Sequence, residues 1–130
     1  MIKKKQPSKL ELAILSLLWE QQEMTAREVL ETLPDGKKRA YTSVLSVLQA
    51  MERKGFVAHT TRGNINIYHA TLQQEATVGH TLRTLVRDIF GGSPVAAVQH
   101  LLQETDISES DLQEMKHLVE TYRTRSPKKR

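Results

Sequence analysis

Thr42, Ser46, Gln49 and Arg53 recur every three or four residues between Tyr41 and Lys54, so a helix here aligns them in one stripe. Two hydroxyls, an amide and a guanidinium in a row contain no nucleophile paired with a base. They do form a ladder of hydrogen-bond donors and acceptors suited to base edges and phosphates in a DNA major groove. Val44, Val47, Leu48 and Met51 fall on the opposite side and are expected to pack inward. Glu52 is the one carboxylate in the segment, so little there repels a polyanion.

The flanks extend this chemistry. Lys37, Lys38 and Arg39 precede the helix and can neutralise phosphates, and Tyr41 and Ser43 stand at its start. Beyond it, Thr60, Thr61, Arg62 and Asn64 surround a tight turn that can reach the DNA backbone or minor groove. The expected DNA-contacting set is therefore Lys37, Lys38, Arg39, Tyr41, Thr42, Ser43, Ser46, Gln49, Arg53, Arg62 and Asn64. Lys3–Lys5 could serve as a basic arm on adjacent phosphates.

Other chemistries find no constellation. The chain has no cysteine, which excludes disulfides, zinc knuckles and thiol catalysis. His59, His69, His80, His100 and His117 include no pair spaced for one helical face and no His-Glu-x-x-His motif. His59 and His69 are expected to meet across a hairpin as a surface pair. Serines and threonines fall mostly at helix caps, with no nucleophile elbow or phosphate-binding glycine loop. No enzymatic activity, metal or cofactor is expected.

The elements that must position these residues are well punctuated. Ser8-x-x-Glu11, Thr25-x-x-Glu28 and Thr71-x-x-Gln74 match the capping box. They predict helices over about 9–21, with Leu10, Ile14, Leu17 and Leu18 inward, over about 26–33, and over about 72–90. Pro34 and Asp35-Gly36 end the second helix, and Gly55 ends a third over about 40–54. Phe56–Thr61 and Asn64–Ala70 read as two strands around a Gly63-Asn64 turn. Gly91-Gly92 breaks the long helix, and Ser93-Pro94 starts another that runs to about Glu104. Ser108-x-x-Asp111 opens the last helix, to about Tyr122. The fold class is thus mainly α with a small β-hairpin wing: a winged helix-turn-helix followed by three further helices.

Charge divides along the same boundary. Residues 1–71 carry 11 Lys/Arg against 7 Asp/Glu, residues 72–122 carry 3 against 8, and 123–130 add five positive charges. This predicts a DNA-binding domain over 1–71, a helical dimerisation domain over 72–122 and a basic flexible tail over 123–130. The apolar positions Leu82, Leu85, Val86, Ile89, Phe90, Val98, Leu101, Leu102, Leu112, Met115 and Val119 stripe helices too short to bury them within one chain. A two-fold partner would cover them. The apolar run Leu10–Trp19 is interrupted by Glu11, closed by Glu20 and too short to span a membrane. A soluble, cytoplasmic homodimer without membrane insertion is expected.

With these residues in place, the chain resembles the BlaI/MecI penicillinase-repressor family of bacterial regulators. The likeness is carried by Leu12–Trp19, Thr25-Ala26-Arg27-Glu28-Val29, Ala40-Tyr41-Thr42-Ser43-Val44, Glu52-Arg53-Lys54-Gly55-Phe56, Tyr68, Phe90-Gly91-Gly92-Ser93-Pro94 and Leu101-Leu102. It covers about 8–120. The resemblance implies a repressor joined through its C-terminal helices, with each winged helix on half of a palindromic double-stranded operator. It further implies a membrane-bound sensor-protease as partner, which would cut the bond His100–Leu101.

Some positions depart from the family. Its Asn-Phe pair at the cleaved bond is absent, Leu45 and Ala50 replace polar readers, and the cysteine cluster of the copper-responsive branch is missing. The operator sequence is therefore not transferable, and copper sensing by that route is excluded. Two alternatives stand beside this reading: a winged-helix module that binds protein through the same helix, and a regulator with a small-molecule pocket between its C-terminal helices.

Overall fold

The computed structural model describes residues 6–34 and 36–125. The elements run α1 (Lys9–Gln21), β1 (Met24–Thr25), α2 (Ala26–Thr32), α3 (Tyr41–Lys54), β2 (Val57–Arg62), β3 (Ile65–Ala70), α4 (Gln74–Ile89), α5 (Pro94–Glu104) and α6 (Glu109–Arg125). This is a winged helix followed by C-terminal helices, as the sequence predicts. The chain forms two compact units, which divide between His80 and Thr81, inside α4.

Local chemistry sets the helix starts. Ser8 accepts the Glu11 amide while the Glu11 carboxylate accepts the Ser8 amide, and Thr25 and Glu28 repeat the exchange at α2. Gly55 (φ +86°) ends α3: its N–H donates to the Glu52 carbonyl, and the Phe56 N–H reaches back to Met51 at 2.9 Å. This satisfies carbonyls that the last turn leaves open. Thr71 departs from expectation. Its hydroxyl donates to the Gly55 carbonyl at 2.6 Å, and α4 begins later, at Gln74. A nearby acceptor across the chain has taken the group that the local pattern assigned to a cap.

The sheet is antiparallel in the order β1-β3-β2. Sequence reading had no β1, which adds Met24↔Tyr68 and Thr25↔Ile67 to the far edge of β3. The hairpin pairs Arg62 with Ile65 around Gly63-Asn64. Gly63 has φ +62° and Asn64 does not have a positive φ, the signature of a type II′ turn, in which glycine takes the first central position. The register places His59 opposite Tyr68 and Ala58 opposite His69. His59 and His69 therefore project to opposite faces and do not form the expected pair.

Tyr68 faces the core of the first unit with Ile14, Leu15, Leu18, Val29, Val44, Leu48, Met51, Phe56 and Val57. The α1 stripe differs from the predicted one. Ile14 and Leu18 are buried, Leu10 and Leu17 are only partly so, and Leu15 and Glu11 turn inward. Glu11 can do so because its Oε1 accepts the Ser8 N–H at 2.9 Å and its Oε2 accepts the Lys54 ammonium at 2.6 Å. Burial alone would raise its pKa. The Lys54 and Ser8 hydrogen bonds and the Lys54 charge overcome that effect and hold the carboxyl below the ordinary range. The same ion pair fastens the end of α3 to the start of α1. Trp19 adds a second tie, donating Nε1–H to the Leu72 carbonyl at 3.0 Å.

In the second unit, Gly91 and Gly92 (φ +61° and +83°) turn the chain between α4 and α5, and the Ser93 hydroxyl caps α5 by accepting the Ala96 amide. Phe90 and His100 pack ring to ring across that turn, 5.3 Å between centroids. No residue of α4, α5 or α6 is buried. Helix α6 runs through Arg125, three residues past its expected end, so Arg123–Arg125 are helical; the rest of the expected tail lies outside the described residues.

Candidate nucleic-acid interface

The polar stripe of α3 is built as its spacing requires. Val44, Leu48 and Met51 are buried and Val47 is half-buried, which turns Thr42, Ser46, Gln49 and Arg53 outward, all exposed. Tyr41 and Ser43 are exposed at the helix start. Ala40 supplies no side-chain cap and the first turn carries no acid, unlike the capped starts of α1 and α2. The preceding segment presents Lys37 and Lys38 to solvent, with Arg39 half-buried.

The wing stands beside this helix. Arg62 and Asn64 are exposed at its tip, and Thr61 donates its hydroxyl to Asn66 Oδ1 at 3.0 Å. Arg62 is not idle: its guanidinium meets Glu23 at 3.3 Å. Glu52, the α3 carboxylate, is bound by His59 Nδ1 at 2.7 Å, and the His59 ring leans on Tyr68. This contact ties the wing to α3 and occupies the helix's only carboxylate. Between α3 and the wing runs an open groove of about 520 Å³, bounded by Tyr41, Leu45 and Gln49 on one side and Asn64 and Ile65 on the other.

One residue escaped the sequence reading. The Arg27 guanidinium, from α2, lies 4.9 Å over the Tyr41 ring and lines the same groove. No periodicity joins these positions, because the contact crosses from one helix to another. The only available signal was Arg27's place in the Thr25–Val29 string.

The expected dimerisation set divides by exposure. Leu82, Leu85, Ile89, Val98, Leu101, Leu102, Leu112 and Val119 are exposed, from 38% at Leu112 to 67% at Ile89, and Val86, Phe90 and Met115 are half-buried. His100 and Leu101 are both exposed on α5. Among the described residues, no helix is long and apolar enough to cross a membrane, and no three acidic or imidazole groups gather as metal ligands.

A sequence profile described as "Penicillinase repressor" matches residues 7–121, from the capping box of α1 to within α6. The chain belongs to the penicillinase repressor family. Members of this BlaI/MecI family are transcriptional repressors. The chain is 30% identical over 104 residues to proteins named "Transcriptional regulator BlaI" from two Mycobacterium tuberculosis strains, CDC 1551 / Oshkosh and H37Rv. These matches cover 78% of this chain and 75% of each relative. It is 18% identical over 120 residues to the "Penicillinase repressor" of Bacillus licheniformis, covering 92% of this chain and 94% of that protein.

Proposed function

We propose that this repressor acts as a homodimer on a palindromic double-stranded operator, with α3 of each protomer in a major groove and the wing along the adjacent backbone. The observation that carries the reading is the outward stripe Thr42, Ser46, Gln49 and Arg53 on a helix whose other face packs Val44, Leu48 and Met51 into the core. Lys37, Lys38, Arg39, Arg62 and Asn64 flank it as phosphate contacts, and Tyr41 and Ser43 lie at the end of the helix that enters the groove. Residues 1–71 form the reading domain and 72–122 the dimerisation region.

The second half supports the two-fold partner. An apolar stripe along α4–α6 without a single buried residue is stable in water when another surface covers it, and a second copy covers it while placing two reading helices symmetrically. Relief of repression follows if a membrane-bound sensor-protease cuts His100–Leu101, because the cut removes Leu101, Leu102 and α6 from the dimer. Mass spectrometry of the protein from induced cells tests this step: an intact chain while target genes are transcribed rejects it.

Selection of bound sequences from a random duplex pool tests the main reading. An inverted repeat, bound at two protomers per duplex and weakened steeply by salt, is the expected product. Absence of duplex binding at low salt overturns the reading and favours a protein-binding winged helix.

A further inference from the structure

Arg27 and Tyr41 form a contact that neither the core nor the ion-pair network explains. Lys54 pairs with Glu11, His59 with Glu52, Arg62 with Glu23, Arg87 with Asp88 and Arg123 with Glu120; none of these pairs takes Arg27. Its neighbour Glu28, which lines the same groove, accepts the Thr25 amide through Oε1. Arg27 is instead laid over the Tyr41 ring at 4.9 Å, and both side chains are exposed.

The geometry of a guanidinium makes this meaningful. Its five N–H donors lie in the plane of the group and point outward from its edge. A ring on one face holds the group by its charge and consumes none of those donors. A stacked arginine is therefore pre-oriented and still fully able to bind a phosphate in a bidentate manner. Arg27 lines the groove that separates α3 from the wing. When a helix occupies the major groove and a wing lies beside it, the polyanion between them is the sugar–phosphate backbone.

We propose that Arg27, laid on the Tyr41 ring, is a phosphate-binding residue that seats one DNA backbone strand in the groove between α3 and the wing. The inference rests on the DNA-binding reading above and adds a residue from α2 to it. Tyr41 is the positioning residue: its ring holds the guanidinium, and its hydroxyl is dispensable for that role. Because a backbone contact carries no sequence information, Arg27 contributes equally on all duplexes.

The test is equilibrium binding of the full-length protein to a fluorescently labelled random-sequence duplex over a series of potassium chloride concentrations. Wild type, Arg27→Gln, Arg27→Lys, Tyr41→Phe and Tyr41→Leu are compared, with thermal melting to establish that each is folded. Loss of one phosphate contact lowers the slope of log affinity against log salt by about 0.9. Arg27→Gln is expected to show that drop, Arg27→Lys to restore the slope, and Tyr41→Phe to keep the wild-type slope, because the tyrosine hydroxyl carries no charge. Tyr41→Leu is expected to lower the slope in the wild type and to leave it unchanged in the Arg27→Gln background. An unchanged slope in Arg27→Gln beside a steep wild-type slope overturns the inference and leaves the DNA-binding reading intact. A wild type with no salt-dependent binding overturns both.

Discussion

Replacing Lys54 by methionine removes the only charged partner that a 5% exposed carboxylate has among the described residues. Glu11 keeps the Ser8 amide and loses the 2.6 Å ammonium contact. Breaking a buried ion pair from one side costs about 3–5 kcal/mol, because the remaining charge is left without compensation. The Lys54 side chain is 33% exposed, so water can partly replace its ammonium. That places the expected loss lower, at about 2–3 kcal/mol near pH 7. The pH dependence is more telling. In the wild type the folded carboxyl titrates below its ordinary range. Its stabilisation is thus present above the unfolded glutamate pKa and is lost as pH falls through the folded value. In Lys54→Met, burial acts without the opposing lysine and the folded pKa rises, so the carboxylate stabilises less as pH increases. Urea unfolding at fixed protein concentration, at pH 7 and about pH 4, should show the variant's deficit shrinking at the lower pH. Glu11→Gln combined with Lys54→Met should be more stable at pH 7 than Lys54→Met alone. A deficit equal at both pH values, or below about 0.5 kcal/mol, refutes the buried-pair account.

Three further outcomes are expected. Trp19→Phe keeps most of the ring and loses the bond to the Leu72 carbonyl, costing about 0.5–1.5 kcal/mol in a circular-dichroism melt. Gly55→Ala meets open space yet must hold φ at +86°, so urea unfolding should show a loss of about 1–2 kcal/mol without a change in fold. On selected and random duplexes, Arg53→Ala should weaken both equally, whereas Ser46→Ala or Gln49→Ala should change sequence preference by about 1–3 kcal/mol. Equal losses for all three would remove the base-reading assignment.

The parts of the fold legible in the sequence are those decided within a few residues. The Ser8, Thr25, Ser93 and Ser108 caps and the Gly55 and Gly63 turns are local chemistry, and all six are found in place. The stripe of α3 was legible for the same reason, since the positions of Val44, Leu48 and Met51 determine where Gln49 and Arg53 project. What was missed depends on distant partners. Glu11 is inward because of Lys54, Thr71 is diverted by Gly55, and Arg27 is held by Tyr41. The His59–His69 pairing failed by one step of register, which in a strand exchanges faces.

The short strand β1 has a consequence for how the molecule assembles. The hairpin closes through two residues, whereas Met24 must find Tyr68 across the whole of α2, α3 and β2. The long closure costs more chain entropy and is favourable only once the intervening elements are in place. Hairpin and helices are thus expected to form first, with β1 docking late. Thr25 is both the last residue of that strand and the cap of α2, so the late step also sets the start of the helix that carries Arg27. A chain arrested before it would hold α3 and the wing and still lack the completed groove between them.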